Sequence, residues 1–304
     1  LQTGGTSADA PTLITLGGNI TVPAGGDYDT PPINGSGHFK IDGGGHTITW
    51  ESTANNHHLL GNTSPDADAV YIELTNINLD RQDMNAAVGV YNGKITLGKD
   101  VALSGQDGNM ILANGEKAAL ELGDGCELSY AAGSSPCCAS AWFGAILVLN
   151  GGKTAAGAYI GLDCNFYPAV SYPLISVPKA LTGDVHLLLK MIGTTPVAQG
   201  IGNYQLTQAD CDRLKVNPES TVSLYMGQRD KYDGNFELHL DPAASFQIKL
   251  RPKNFTPPTS GNIDVTNMTD VVAQITIRAA LEAGHTDLKL TGELSKIGIG
   301  GQWG

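Results

Sequence analysis

The chain keeps returning to one short phrase: two apolar residues flanking a variable one, a corner containing glycine, then two more apolar residues with the same spacing. It reads Ile14-Thr15-Leu16-Gly17 followed by Ile20 and Val22, then Ile95-Thr96-Leu97-Gly98 followed by Val101 and Leu103, then Leu120-Glu121-Leu122-Gly123 followed by Cys126 and Leu128. Looser copies run from Phe39 to Trp50 through Gly43-Gly44-Gly45, at Ile72, Leu74, Ile77 and Leu79, and at Leu147, Leu149, Gly151 and Gly152. Aligned on their first apolar residue, the copies begin near residues 14, 39, 72, 95, 120 and 147, about 23 to 33 residues apart, the length of one solenoid turn.

Within each copy, apolar residues alternate with polar or small ones at a period of two, so one face of a strand points inward. The glycine allows a sharp bend that carries the chain into the next sheet of the same coil. A unit this small cannot bury its own apolar face and must stack on its neighbours. Stacking sets equivalent strands side by side and parallel, with backbone hydrogen bonds between coils. Four inward aliphatic side chains per coil, at about 1.5 to 3 kcal/mol each, drive the addition of every turn. The expected fold is therefore all-β, a parallel solenoid, and the abundance of glycine (39 residues) with sparse charge (16%) predicts few helices.

Along the chain, residues 1–12 read as a flexible Gly/Ser/Thr tether and residues 13–255 as the solenoid. Long loops are expected at Glu51–Ala69 and Tyr130–Phe143. After Leu149 the pattern becomes irregular, recovers at Val185, Leu187 and Leu189, breaks over Gln205–Asn217, and recovers at Val222, Leu224 and Met226. The runs Phe236, Leu238, Leu240 and Phe246, Ile248, Leu250, close together around Asp241-Pro242, are expected to pair antiparallel and cap the column. Residues 256–304 read as a linker, a helix and a strand leading toward a further C-terminal domain. Thr269 precedes Val272, Ile275 and Ala279 on one helix face, with Val271 and Leu281 as further candidates, and Gly284 ends the helix.

Thirty acidic against 18 basic residues give a net charge of -12, which repels phosphate backbones and argues against a nucleic-acid partner. No apolar run reaches the roughly 18 to 20 residues of a membrane span, so no transmembrane segment is expected in this chain. Five cysteines, Cys126, Cys137, Cys138, Cys164 and Cys211, lack zinc-site spacing and do not indicate a disulfide framework. Cys126 reads as a small buried hydrophobe, and Cys137-Cys138 are expected in a loop.

The phrase Phe39-Lys40-Ile41-Asp42-Gly43-Gly44-Gly45-His46-Thr47-Ile48-Thr49 resembles the opening coil of the pectin-lyase-like right-handed parallel β-helices. The resemblance spans residues 10 to 250 and implies a right-handed single-stranded parallel β-helix without implying an activity. The segment Ala279–Gly292 is similar to the lead-in to leucine-rich repeats in large surface proteins of anaerobic gut-type bacteria. That resemblance implies an exported protein at the cell surface or outside the cell, with the periplasm as an alternative, and a lipid anchor upstream.

Glycoside hydrolysis needs two carboxylates at a set separation, and no strand carries adjacent aspartates. Asp66 and Asp68 are weak metal-binding candidates whose Ser-Pro-Asp-Ala-Asp setting reads first as a solvated turn. His57-His58 point to opposite sides of an extended chain and do not chelate together, and no helix or lysine follows Gly43-Gly44-Gly45 to make a phosphate loop. No catalytic residue and no cofactor is expected. For sugar binding the aromatic residues near irregular segments matter most: Tyr130, Trp142, Phe143, Tyr167 and Tyr172 could stack on a pyranose face, or simply pack over the coil. The expected function is that of a non-enzymatic, adhesin-like surface module, a rigid spacer or a binding surface for a host or dietary glycan or protein. The alternative is a carbohydrate-active enzyme, lyase or hydrolase, with a non-standard site on the β-helix.

Overall fold

The computed structural model describes residues 3–23, 35–51, 60–81, 86–105, 110–131, 137–163, 173–192, 196–223, 230–232, 234–241 and 247–292, with side chains omitted at 191, 192 and 223. It is a parallel β-solenoid of about eight turns. Three sheets form its walls. The first runs from Thr12–Thr15 through Gly37–Asp42, Val70–Thr75, Gly93–Leu97, Ala118–Leu122, Ile146–Leu149 and Ile175–Val177 to Ala198–Gly200. The second stacks Ile20–Val22, Thr47–Trp50, Ile77–Arg81, Val101–Gly105, Glu127–Ala131 and Lys153–Thr154. The third stacks Leu60–Gly61, Val88–Val90, Ile111–Asn114, Cys137–Trp142, Tyr159–Asp163, Val185–Ile192 and Thr221–Ser223.

The apolar phrase fills the column in rows. In the first sheet Phe39, Ile72, Ile95, Leu120, Leu147 and Ile175 lie in register, and beside them run Ile14, Ile41, Leu74, Leu97, Leu122 and Leu149. Ile20, Ile48, Leu79 and Leu103 form the corresponding row of the second sheet. Leu60, Val88, Ile111, Ala139, Ile160 and Leu187 form that of the third. From Phe39 onward these residues are buried and belong to one continuous core. Gly93 shows how tightly turns approach: its φ is +124°, and a Cβ built there would stand 1.9 Å from the Val70 carbonyl oxygen.

Several expectations are corrected. Ile14 stacks on Ile41 rather than Phe39, and Leu103 on Tyr130 rather than Leu128, both shifts of two residues. A shift of two keeps the same face inward, which is why the period survives the error. Tyr130–Phe143 is not one long loop: Cys137–Trp142 is a strand of the third sheet, so Cys137 and Cys138 lie in a strand, both buried. Of Glu51–Ala69, Leu60–Gly61 is likewise a strand. The irregular stretch after Leu149 contains three further regular strands, and the break at Gln205–Asn217 holds helix α1 (Gln208–Arg213) and a strand at Leu214–Val216. Leu224, Met226 and Phe246 lie outside the described residues.

At the C-terminal end, Gln247–Pro252 pairs antiparallel with both Ala198–Gly200 and Phe236–Leu240, and Asp230–Lys231 pairs antiparallel with Thr221–Ser223. Helix α2 (Asp270–Glu282) then packs Val271 and Ile275 into the main core, while Leu281 stays 53% exposed. Its N-cap Thr269 donates to Asp230 at 2.6 Å, and near its other end Glu282 and the buried Asp241 both meet Lys249 Nζ, at 3.6 and 2.9 Å. A two-stranded parallel sheet, Asn262–Asp264 with Lys289–Thr291, flanks the helix over a second small apolar cluster of Ile263, Val265, Ala273 and Ala280.

Candidate functional site

On the outer face of the third sheet, strand alternation and inter-turn register arrange chemistry-bearing side chains in lines parallel to the column axis. Ala139 and Ala141 point into the core, so Ser140 and Trp142 point outward. Register places Asn114, Trp142, Asp163 and Lys190 on consecutive turns in one outer row. Neighbouring turns are about 4.8 Å apart. Each of the four is half-buried.

Trp142 ends its strand, and Phe143 follows in the left-handed region with φ +52°, which swings its ring edge-on to the indole: the centroids are 6.1 Å apart and the planes 89°. The bend is held from both sides. Phe143 N–H donates to the Asp163 carbonyl at 3.1 Å, while the Trp142 carbonyl accepts from Gly115 and Ala145 N–H. A second outer row brings Tyr159 against His186, ring centroids 5.5 Å apart and nearly perpendicular, with Thr154 Oγ1 2.8 Å from His186 Nδ1.

Between the two rows the side chains are small and buried. Ser140 Oγ lies 3.4 Å from Cys137 Sγ, and both sit over Gly161, where a Cβ would stand 2.7 Å from that sulfur and 2.8 Å from that oxygen. Burial pushes the Cys137 thiol pKa up, and burial likewise raises Cys126 to about 12 and Cys211 to about 11. These thiols are held in the unreactive neutral form.

The remaining sequence candidates scatter. Tyr130 lies on the inward-pointing row of the second sheet and packs against the core. Tyr167 and Tyr172, like His57 and His58, lie outside the described residues. Asp66 and Asp68 are exposed in a turn closed by Ser64, whose Oγ accepts from Asp66 N–H at 3.2 Å. The turn is pinned by the buried Asn62, whose amide nitrogen donates to the Asp68 and Asn92 carbonyls, and by Asn92, which donates to the Ala67 carbonyl at 2.8 Å. Among the described residues no group of three or more His, Cys, Asp and Glu side chains could hold a metal ion, and no helix is long and apolar enough to cross a membrane.

Sequence reading missed Asn114 and Lys190 as members of the row that holds Trp142, and the Tyr159–His186 pair of the second row. Strand alternation alone marks Tyr159 and His186 as outward, but which turns stand side by side depends on a register broken by the bulge between Cys137 and Ala139. Compared with known proteins, the chain matches no family model, no curated protein and no solved structure at a significant level.

Proposed function

We propose that this solenoid is a non-enzymatic surface module, exported and adhesin-like, that presents a binding face for a glycan or a surface protein on the outside of its third sheet. The observation that carries the reading is the Trp142–Phe143 pair: two rings held at right angles by backbone hydrogen bonds, flanked on adjacent turns by Asn114, Asp163 and Lys190. Rigid half-buried aromatic groups beside hydrogen-bonding groups are what a sugar ring requires, an apolar face to stack on and directional partners for its hydroxyls. Kinship with the pectin-lyase-like β-helices, a lipid anchor upstream and a leucine-rich continuation downstream fit a surface role and belong to the same proposal.

A glycan array probed with the chain, with Trp142→Ala as the control, tests it. Binding to a defined glycan class that falls by about tenfold or more in the variant is expected. Release of unsaturated or reducing sugars from a polysaccharide panel would instead make the protein an enzyme, and equal binding by the variant would move the site elsewhere.

A further inference from the structure

The outer face of the first sheet carries two lysine–glutamate pairs that are built differently. Lys40 and Glu73 stand directly opposite each other on adjacent turns, 2.7 Å apart, with side chains 40% and 39% exposed. Lys94 and Glu121 lie on a diagonal. Register sets Lys94 against Ala119 and Glu121 against Thr96, and the small Ala119 leaves the lysine stem a path that puts Nζ 2.5 Å from Glu121 Oε2. The Glu121 side chain is only 10% exposed, with Val148 opposite it on the next turn. Its other oxygen, Oε1, accepts from Asn150 Nδ2 at 2.9 Å. One carboxylate thus holds an amine from the turn below and a carboxamide from the turn above, one on each oxygen. Among the described residues no carboxamide bonds to Glu73 in this way.

Asn150 is fixed for this contact by its backbone. It follows the strand Ile146–Leu149, its N–H donates to the Leu122 carbonyl at 2.9 Å, and Gly151 turns the chain away with φ +88°. Exchange of an asparagine amide onto a lysine needs a nucleophilic amine, an acyl carbon and a group that carries protons between the two nitrogens. All three meet here, and Glu121 has both nitrogens within hydrogen-bond reach. The Lys94 side chain, 38% exposed, keeps the room to swing its end from the carboxylate oxygen toward the amide carbon, one bond beyond Nδ2.

We propose that Lys94, Glu121 and Asn150 are the reactants of a self-catalysed cross-link, an amide between Lys94 Nζ and Asn150 Cγ. Glu121 takes a proton from the Lys94 ammonium, and the freed amine closes to the near-attack distance of about 3 to 3.5 Å and adds to Cγ. The Nζ–Cγ bond forms and the Cγ–Nδ2 bond breaks. Glu121 returns its proton to Nδ2, which departs as ammonia, and the second proton shed by Nζ leaves with it as ammonium. Nothing is oxidised or reduced and no co-reactant is needed. The product staples the strand Gly93–Leu97 to the end of Ile146–Leu149 two turns away, across Ala118–Leu122 between them.

Intact-mass spectrometry on the purified full chain reads the step directly. A mass below that of the sequence by one ammonia is expected, together with a branched peptide in the digest that joins the Lys94 segment to the Asn150 segment. Glu121→Gln keeps the shape and removes the proton carrier, and Lys94→Arg keeps the positive charge and removes the nucleophile. Both variants should show the full sequence mass with the circular dichroism spectrum of the parent, and Lys94→Arg decides alone should Glu121→Gln fold poorly. The full sequence mass in the parent after prolonged incubation would overturn the proposal. So would an ammonia loss that survives in Lys94→Arg, as a succinimide at Asn150-Gly151 would give, or the loss of one water, which would put the link on Glu121. None of these outcomes depends on glycan binding.

Discussion

At the C-terminal end the last turns are tied down by polar groups as well as apolar ones, whereas the N-terminal turn is held almost wholly by its contact with the turn above. The contrast is sharpest between Asp210 and Ile20. Asp210, 2% exposed, accepts hydrogen bonds from Leu181 N–H, Tyr204 Oη, Thr207 N–H and Thr207 Oγ1, joining α1 to the turn before it. Ile20 touches the column on one side only, and its removal leaves no buried polar group without a partner. A capped end thus behaves as part of the cooperative core, while an open end is one edge of a one-dimensional stack, free to fray without unfolding the rest.

The middle of the column sets the scale against which both ends can be measured. Leu122, fully buried between Leu97 and Leu149, should not tolerate charge: Leu122→Asp is expected to remove about 4 kcal/mol or more and abolish the cooperative transition in a urea melt. A melt indistinguishable from that of the parent chain would mean that the rows do not bear the fold.

At the cap, Asp210→Ala should cost about 3 kcal/mol, because it strands several donors in a buried setting. Burial alone would raise the pKa of this carboxyl, but the hydrogen bonds from Tyr204, Leu181 and Thr207 outweigh it and hold the value below the ordinary 3.8. A lowered folded-state pKa stabilises above the unfolded value and is lost as pH falls through the folded one. The cap should therefore loosen below about pH 4. In Asp210→Asn the acid transition should lose this component, which the helical ellipticity of α1 and α2 would report. Burial, and after it the same charge, pushes the Tyr204 hydroxyl from 10 up to about 12, so the alkaline counterpart is a loss of stability as pH rises from about 10 to about 12.

At the N-terminal end, Ile20→Ala should cost less than about 1 kcal/mol, since much of the side chain is already in water. Hydrogen exchange of the Thr12–Val22 amides sharpens the same contrast: exchange faster than in Gly93–Leu97 is expected. Protection equal to that of the middle turns would mean that the first turn does not fray.

Much of this was legible in the residues. The repeat places the inward faces of the first two sheets because β-branched and leucine side chains alternate there with polar ones, as in Ile95-Thr96-Leu97. Thr269 and Gly284 bracket α2 by capping chemistry that depends on local residues only, and the Thr207–Asp210 capping box offered the same kind of signal for α1 amid a polar stretch. The third sheet was legible only at Val185, Leu187, Leu189 and Val222, since earlier strands such as Val88-Gly89-Val90 and Ala139-Ser140-Ala141 hold small residues whose alternation carries little hydropathy contrast. The candidate site suffered for it: Trp142 and Phe143 were visible as aromatic residues, but their partners become neighbours only through a sheet the periodicity does not announce.

Every turn is joined to the next by backbone hydrogen bonds that lie along the column, with cross-turn ties such as Lys40–Glu73 and the Glu121 carboxylate, which meets Lys94 below and Asn150 above. Under tension applied between the two ends, those bonds are loaded in series, so the yield force is that of the weakest turn and not the sum over all of them. Anchored by its closed end, the molecule would surrender its first winding to a pull and keep the remainder. It would act as a mechanical fuse whose rating is set by the few aliphatic contacts around Ile14 and Val22.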